Sequence, residues 1–177
     1  MIRIFDFLFS LIGLIFLSPL LILIFFIGLL DSGLPLFIQS RVGYNLKSFS
    51  LIKFRTMPMG VKSVGTHLIK NIKLSSFGNF LRTTKLDEIP QLLNVLFGDM
   101  SLVGPRPCLF NQRKLISERK KRGVFKVRPG ITGLAPINGI DMKTPTLVAK
   151  TDQKMIKNTS LYNYFNYIFK TIFKIIR

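Results

Sequence analysis

The stretch Phe7-Leu-Phe-Ser-Leu-Ile-Gly-Leu-Ile-Phe-Leu-Ser18-Pro19-Leu-Leu-Ile-Leu-Ile-Phe-Phe-Ile-Gly-Leu-Leu30 runs for 24 residues without a charge. As a straight helix it measures about 36 Å, against a hydrocarbon core of roughly 30 Å. A cleaved signal peptide fits poorly, because no small-x-small site follows Leu30. Ser18-Pro19 falls almost at the midpoint, so each half is about one leaflet long. Proline removes a backbone donor and kinks the helix, and the Ser18 hydroxyl is placed to bond a freed carbonyl. Two arrangements fit this pattern. In one, the helix spans the membrane with an ordinary proline kink. In the other it dips in and returns, leaving Arg3 and Asp6 at one end and Asp31 at the other on the same side.

Outward from this segment the composition changes. The chain has 177 residues, with 26 Lys and Arg against 8 Asp and Glu, a net charge of +18. Beyond residue 40 there are 25 basic and 6 acidic residues, which places that body on the cytoplasmic side. The apolar share is 48%, too high for a disordered polybasic tail. The single cysteine, Cys108, excludes an internal disulfide and a CxxC metal site, and the single histidine, His67, excludes histidine-based metal clusters.

Leu36 to Gln39 and Ser48 to Phe54 read as strands of a hairpin, with Gly43-Tyr44-Asn45-Leu46 as its turn. Met57 to Lys73 reads as a loop. Ser75 or Ser76 caps a helix to about Thr84. Asp87-Glu88-Ile89-Pro90 opens a second helix, Gln91 to Phe97, stopped by Gly98. Asn111 to Arg122 is a charged helix, and Lys126 to Gly139 is irregular. Leu161 to Arg177 is apolar and aromatic, with Lys170, Lys174 and Arg177 on one face. Such a helix either docks on its own domain or lies in the membrane interface. The narrow polar face favours the interface, with Leu161, Tyr164, Phe165, Ile168, Phe169, Ile172 and Phe173 on the membrane side.

The chemistry concentrates in Arg82-x4-Asp87-Glu88-x-Pro90-Gln91, Gly98-Asp99-Met100-Ser101 and Gly104-Pro105-Arg106-Pro107. Taken singly, Asp87-Glu88 is a helix-stabilising acidic pair and Arg106 a solvated turn. Together they read differently. A helix N-terminus favours ionised carboxylates, which ligate Mg²⁺ or attack phosphorus, and guanidinium grips phosphate oxygens in bidentate fashion. The combination points to phosphoryl chemistry on an anionic substrate.

The 26-residue block from Arg82 to Pro107 resembles the signature of the bacterial sugar transferases, the monotopic polyprenyl-phosphate phosphoglycosyl transferases. Gln39-x-Arg41-Val42-Gly43, Lys53-Phe54-Arg55-Thr56-Met57 and Val127-Arg128-Pro129-Gly130-Ile131-Thr132-Gly133 agree in the family's order. The resemblance implies an α+β, membrane-anchored monotopic fold with a re-entrant N-terminal helix, a β-hairpin and short amphipathic interfacial helices. Residues 1–32 would form the anchor, broken at Ser18 and Pro19, and residues 33–177 the catalytic domain, with 160–177 as the interfacial helix. It implies transfer of a sugar-1-phosphate from a UDP-sugar to undecaprenyl phosphate with release of UMP, at the cytoplasmic face of the bacterial inner membrane. Asp87 would be the nucleophile, and Glu88 with Asp87 would hold Mg²⁺. Arg82 and Arg106 would orient phosphates and Arg128 the nucleotide, with Lys53 and Arg55 lining the basic site. Implied partners are the two substrates, membrane lipids and glycosyltransferases of the same pathway, and no nucleic acid. The chain departs from the family pattern at Pro136 and Ile140, in the loop where sugar contacts are expected.

Two other classes remain as alternatives at this point. The charge and the run Arg119-Lys120-Lys121-Arg122 suit a membrane-tethered nucleic-acid binder, but no helix-turn-helix, zinc or stacking-sheet pattern accompanies them. A non-catalytic scaffold would leave Asp87 dispensable.

Overall fold

The computed structural model describes residues 1–58, 60 and 74–176, with side chains described as far as residue 174. Most of the loop expected over Met57 to Lys73, His67 included, lies outside the described residues, as does Arg177. The order of elements is α1 (Ile2–Ser32), β1 (Leu36–Val42), β2 (Ser48–Phe54), α2 (Ser76–Thr83), α3 (Gln91–Phe97), β3 (Ser101–Val103), α4 (Arg113–Lys121), β4 (Gly130–Thr132), α5 (Leu134–Ile137), α6 (Pro145–Lys157) and α7 (Leu161–Ile176). The architecture is α+β.

The hairpin β1–β2 is the spine. It is antiparallel and in register from Leu36↔Phe54 to Val42↔Ser48, three residues longer on β1 than its apolar run alone indicates. Its turn is tight because Asn45 and Leu46 both adopt positive φ. Val42, Phe49 with Leu51, and Phe54 each belong to one of three small apolar clusters. A chain that leaves so many large apolar residues exposed builds its interior from such clusters rather than from one large core. Asn94 on α3 ties the helix to the hairpin: its side chain accepts from Ile52 N at 3.0 Å and donates to the Ser50 carbonyl at 2.7 Å. Ser75 caps α2 through Gly78 N at 2.9 Å, and Gly98 ends α3 in the left-handed conformation.

The segment expected to be irregular after Lys126 contains β4 and α5. β4 pairs in parallel with β3, Ser101↔Gly130 and Val103↔Thr132. The backbones cross so closely here that a methyl on Gly104 would stand 2.5 Å from the Arg128 carbonyl oxygen. That crossing is the physical content of the Gly104-Pro105 and Pro129-Gly130 dipeptides. α6 carried no sequence expectation.

α1 is a single helix with Pro19 inside it. The carbonyl of Ile15, which the Pro19 nitrogen leaves without a donor, accepts from the Ser18 hydroxyl at 2.7 Å. The face of α1 turned to the body carries Asp6, Ser10, Gly13, Ile24 and Gly28. Both ends are fastened to that same body. Near the start, Arg3 donates to the carbonyls of Val95 and Leu96, and Asp6 accepts from Ser101 Oγ at 3.0 Å, Leu102 N at 2.9 Å and Tyr164 Oη at 2.8 Å. Near the end, Ile24 packs with Phe54 and Leu81, and Ser75 donates to Asp31 at 2.8 Å. The opposite face, including Phe7, Ile12, Phe16, Leu23 and Phe26, is exposed.

α7 corrects the expectation of one membrane-facing apolar side. Tyr164 and Tyr167 are buried, and Phe165 meets Phe5 and Phe9 edge-on at 5.4 and 6.0 Å. Among the described apolar and aromatic side chains of α7, those at its outer positions, Tyr162, Phe169, Ile172 and Phe173, are exposed. The buried Asp6 carboxylate requires donors, and drawing Tyr164 inward supplies one.

Candidate active site

Asp87 and Glu88 lie on a 3₁₀ turn, Leu86–Glu88, that precedes α3 rather than in the first turn of α3 itself. Lys85, in the left-handed conformation at φ 61°, reverses the chain out of α2 and starts this turn. Asp87 is 4% exposed, and its Oδ1 has no hydrogen-bond partner among the described residues. Glu88 instead is paired with Arg106, which reaches it with both terminal nitrogens. β2 brings Lys53 to the same place, and β1 brings Arg41.

These side chains surround a cavity of about 620 Å³ that also includes Arg82, Arg119, Pro136, Ile140 and Asp141 in its lining. Seven basic and three acidic side chains line it, so the local field favours an anionic ligand. The volume is within the usual range for small-molecule sites.

The two carboxylates are not equivalent. Burial, reinforced by the neighbouring Glu88 charge, pushes the Asp87 carboxyl above its ordinary range, against the pull of Lys53, Lys85 and Arg106. Burial alone would also raise Glu88, but the charge and hydrogen bonds of Arg106 hold it below the usual range. The expectation that the helix end favours both ionised forms therefore fails for Asp87, where desolvation outweighs the local dipole. Desolvation lowers Lys53, while Asp87 and Glu88 oppose that shift. Burial and then Arg106 push Arg41 down to about 10, which leaves it charged at neutral pH.

Of the residues singled out from sequence, Asp87, Glu88, Arg82, Arg106 and Lys53 line this one cavity. Arg55 does not: its Nε donates to the Leu34 carbonyl at 2.8 Å, securing the turn after α1. Arg128 does not either. It donates to the Gly98 carbonyl at 2.7 Å, stacks over Tyr44, and borders a separate cavity beside the start of α1. Ser18 and Pro19 sit at the middle of α1, away from the cationic lining.

The bacterial sugar transferase family matches the sequence over residues 1–177. The chain belongs to this family. A relative from Klebsiella pneumoniae, named UDP-glucose:undecaprenyl-phosphate glucose-1-phosphate transferase, is 39% identical over 184 residues, covering 97% of this chain and 39% of its own length. The exopolysaccharide production protein ExoY of Rhizobium meliloti is 35% identical over 191 residues, covering 96% of this chain and 83% of its own. An uncharacterized sugar transferase of Haemophilus influenzae is 36% identical over 180 residues, covering 90% of this chain and 37% of its own length. The chain thus spans about two fifths of the Klebsiella and Haemophilus relatives.

Some residues of the candidate site carried no distinguishing sequence signal. Lys85 is one lysine among many, marked only by its backbone conformation. Arg119 looked like part of a solvated basic run. It is 2% exposed, donates to Asp152 Oδ2 at 2.9 Å and to the Arg106 carbonyl at 2.8 Å. Arg122 of the same run pairs with Glu118 at 2.7 Å. The run is therefore partly internal, and its charge is partly spent on intramolecular pairs.

Proposed function

We propose that this chain transfers a sugar-1-phosphate from a UDP-sugar to undecaprenyl phosphate at the cytoplasmic face of the bacterial inner membrane, releasing UMP. The observation that carries the reading is the buried, unpartnered Oδ1 of Asp87 in a cavity lined by cations. The names of the relatives support the substrate classes.

The Asp87 carboxylate attacks the sugar-linked phosphorus of the UDP-sugar. The bond from that phosphorus to the bridging oxygen breaks, and UMP leaves with the electron pair. A phosphate oxygen of the lipid then attacks the same phosphorus, the bond to Asp87 breaks, and the carboxylate is restored. Lys53, Lys85 and Arg106 offset the repulsion between a carboxylate and a diphosphate, and Arg82 and Arg41 extend the cationic wall. Asp87 and Glu88 fit a Mg²⁺ site shared with substrate phosphates. No cluster of three or more acidic, cysteine or histidine ligands occurs among the described residues, and Mg²⁺ is commonly held by one or two carboxylates plus phosphate. The ion would supply charge neutralisation of the diphosphate. Asp87 and Glu88 would hold such an ion, and Arg106, which pairs with Glu88, would then be available to a substrate phosphate.

The anchor reading follows from the two docked ends of α1. A helix of 31 residues is about 46 Å long, yet Arg3, Asp6, Ile24 and Asp31 all contact one body. If α1 crossed the bilayer, that charged body would cross with it. A helix that enters shallowly and returns, its exposed apolar face in lipid, keeps the body on one side. The test is a panel of UDP-sugars with undecaprenyl phosphate and Mg²⁺, followed by UMP release. Release that needs both substrates and the cation is expected. No UMP with any donor would contradict the reading.

A further inference from the structure

A second cavity, of about 490 Å³, lies against the first. The two share Thr83, Lys85, Glu88, Arg106 and Pro136 in their linings. Their remaining walls differ in chemistry. Beyond the shared residues, the first is largely charged and polar. The second is mostly aliphatic, with Leu17, Ile89, Leu92, Ile131, Ile168 and Ile172.

Its position follows from three elements. Leu17 comes from α1, immediately before Ser18-Pro19. Ile89 follows the turn that carries Asp87 and Glu88, and Leu92 lies on α3, which comes next. Ile168, Thr171 and Ile172 come from α7. Lys174 holds α7 over the cavity: its Nζ donates to the carbonyls of Pro136 and Ile137 at 3.2 and 3.0 Å. The Thr171 and Thr132 hydroxyls are hydrogen-bonded to each other at the same seam. α1 and α7 both carry exposed apolar outer faces, so the aliphatic walls adjoin the surface that the proposed function turns to lipid.

We infer that this second cavity receives the phosphate-proximal isoprenoid units of the lipid acceptor, and that α7 forms its selective wall. The inference rests on the proposed transferase reading. A single branched hydrocarbon chain ending in a phosphate matches both parts of the cavity. Its first units meet aliphatic side chains, and its phosphate meets Lys85 and Arg106 at the end shared with the donor cavity. Donor and acceptor then approach Asp87 from two sides, one through water and one through lipid.

Ile172 tests the inference, because it lines the cavity yet is 48% exposed, so a larger ring folds without burying new volume in a core. Ile172→Trp and, independently, Ile168→Phe are compared with Phe173→Trp, which lies outside the lining. Each is assayed for lipid-free exchange of labelled UMP into UDP-sugar and for transfer to undecaprenyl phosphate. The two cavity variants should lower the ratio of transfer to exchange by about tenfold or more, through a raised KM for the lipid, which corresponds to about 1.4 kcal/mol of lost binding. Phe173→Trp should leave the ratio unchanged. A ratio unchanged in both cavity variants, or exchange and transfer falling together in both, would overturn the inference. Absence of exchange in the unaltered chain would remove the transferase reading, and the inference with it.

Discussion

At the residue scale, the site is defined by a division of labour between two adjacent carboxylates. Glu88 has a guanidinium partner and stays ionised, whereas Asp87 is buried with an oxygen left open. A carboxyl raised by burial binds its proton more readily folded than unfolded, so it lowers stability as pH rises from the ordinary carboxylate range through the raised value. Asp87→Asn removes that penalty. The variant should melt higher than the unaltered protein at neutral pH, by roughly 2–4 °C for each kcal/mol relieved, and the difference should vanish in acid. A thermal scan against pH checks this, and a lower melting temperature at neutral pH would contradict it. The same shift sets the pH profile of the chemistry. Exchange should rise with pH along a limb above the usual carboxylate range, and Lys53→Met, which deletes a cation lowering the Asp87 pKa, should move that limb higher still.

At the scale of elements, the hairpin and the helix ends are legible from local sequence because their causes are local. Ser75 caps, Gly98 stops, and the apolar run Ser48–Phe54 is a strand. What stays hidden depends on partners far along the chain. β4 is three residues long and exists only because Gly104 and Gly130 let two backbones touch. Arg119 reads as surface charge until Asp152, 33 residues away, buries it. The site carboxylates and arginines were legible as a cluster. The displacement of Arg55 and Arg128 from it was not, because backbone carbonyls of Leu34 and Gly98 capture them. In α1 the body-facing stripe of Asp6, Ser10 and Gly13 was masked by the surrounding apolar residues. Asp6 yields a prediction for α7. Tyr164→Phe leaves its carboxylate with two donors instead of three, and should cost about 1–3 kcal/mol in a denaturation series without changing m. A neutral effect would mean that α7 is held by its apolar contacts alone.

At the scale of the whole molecule, a basic body lies along the inner side of a helix whose outer side is apolar from end to end. This geometry supports the proposed topology, in which both ends of α1 stay on one side of the membrane. In an Ile2→Cys variant on a Cys108→Ser background, the thiol should be shielded from a membrane-impermeant reagent in intact cells, while permeabilised cells should label. Labelling in intact cells would establish a spanning helix. The proposed function places Asp87 where a water-borne nucleotide and a membrane-bound phosphate can both arrive, which is the central claim. Its most direct test needs no lipid: exchange of labelled UMP into UDP-sugar by the purified protein with Mg²⁺, in the unaltered chain and in Asp87→Asn. The unaltered protein should exchange label and carry a sugar-phosphate adduct on the peptide containing Asp87, and Asp87→Asn should do neither. Exchange that persists in Asp87→Asn would contradict the account.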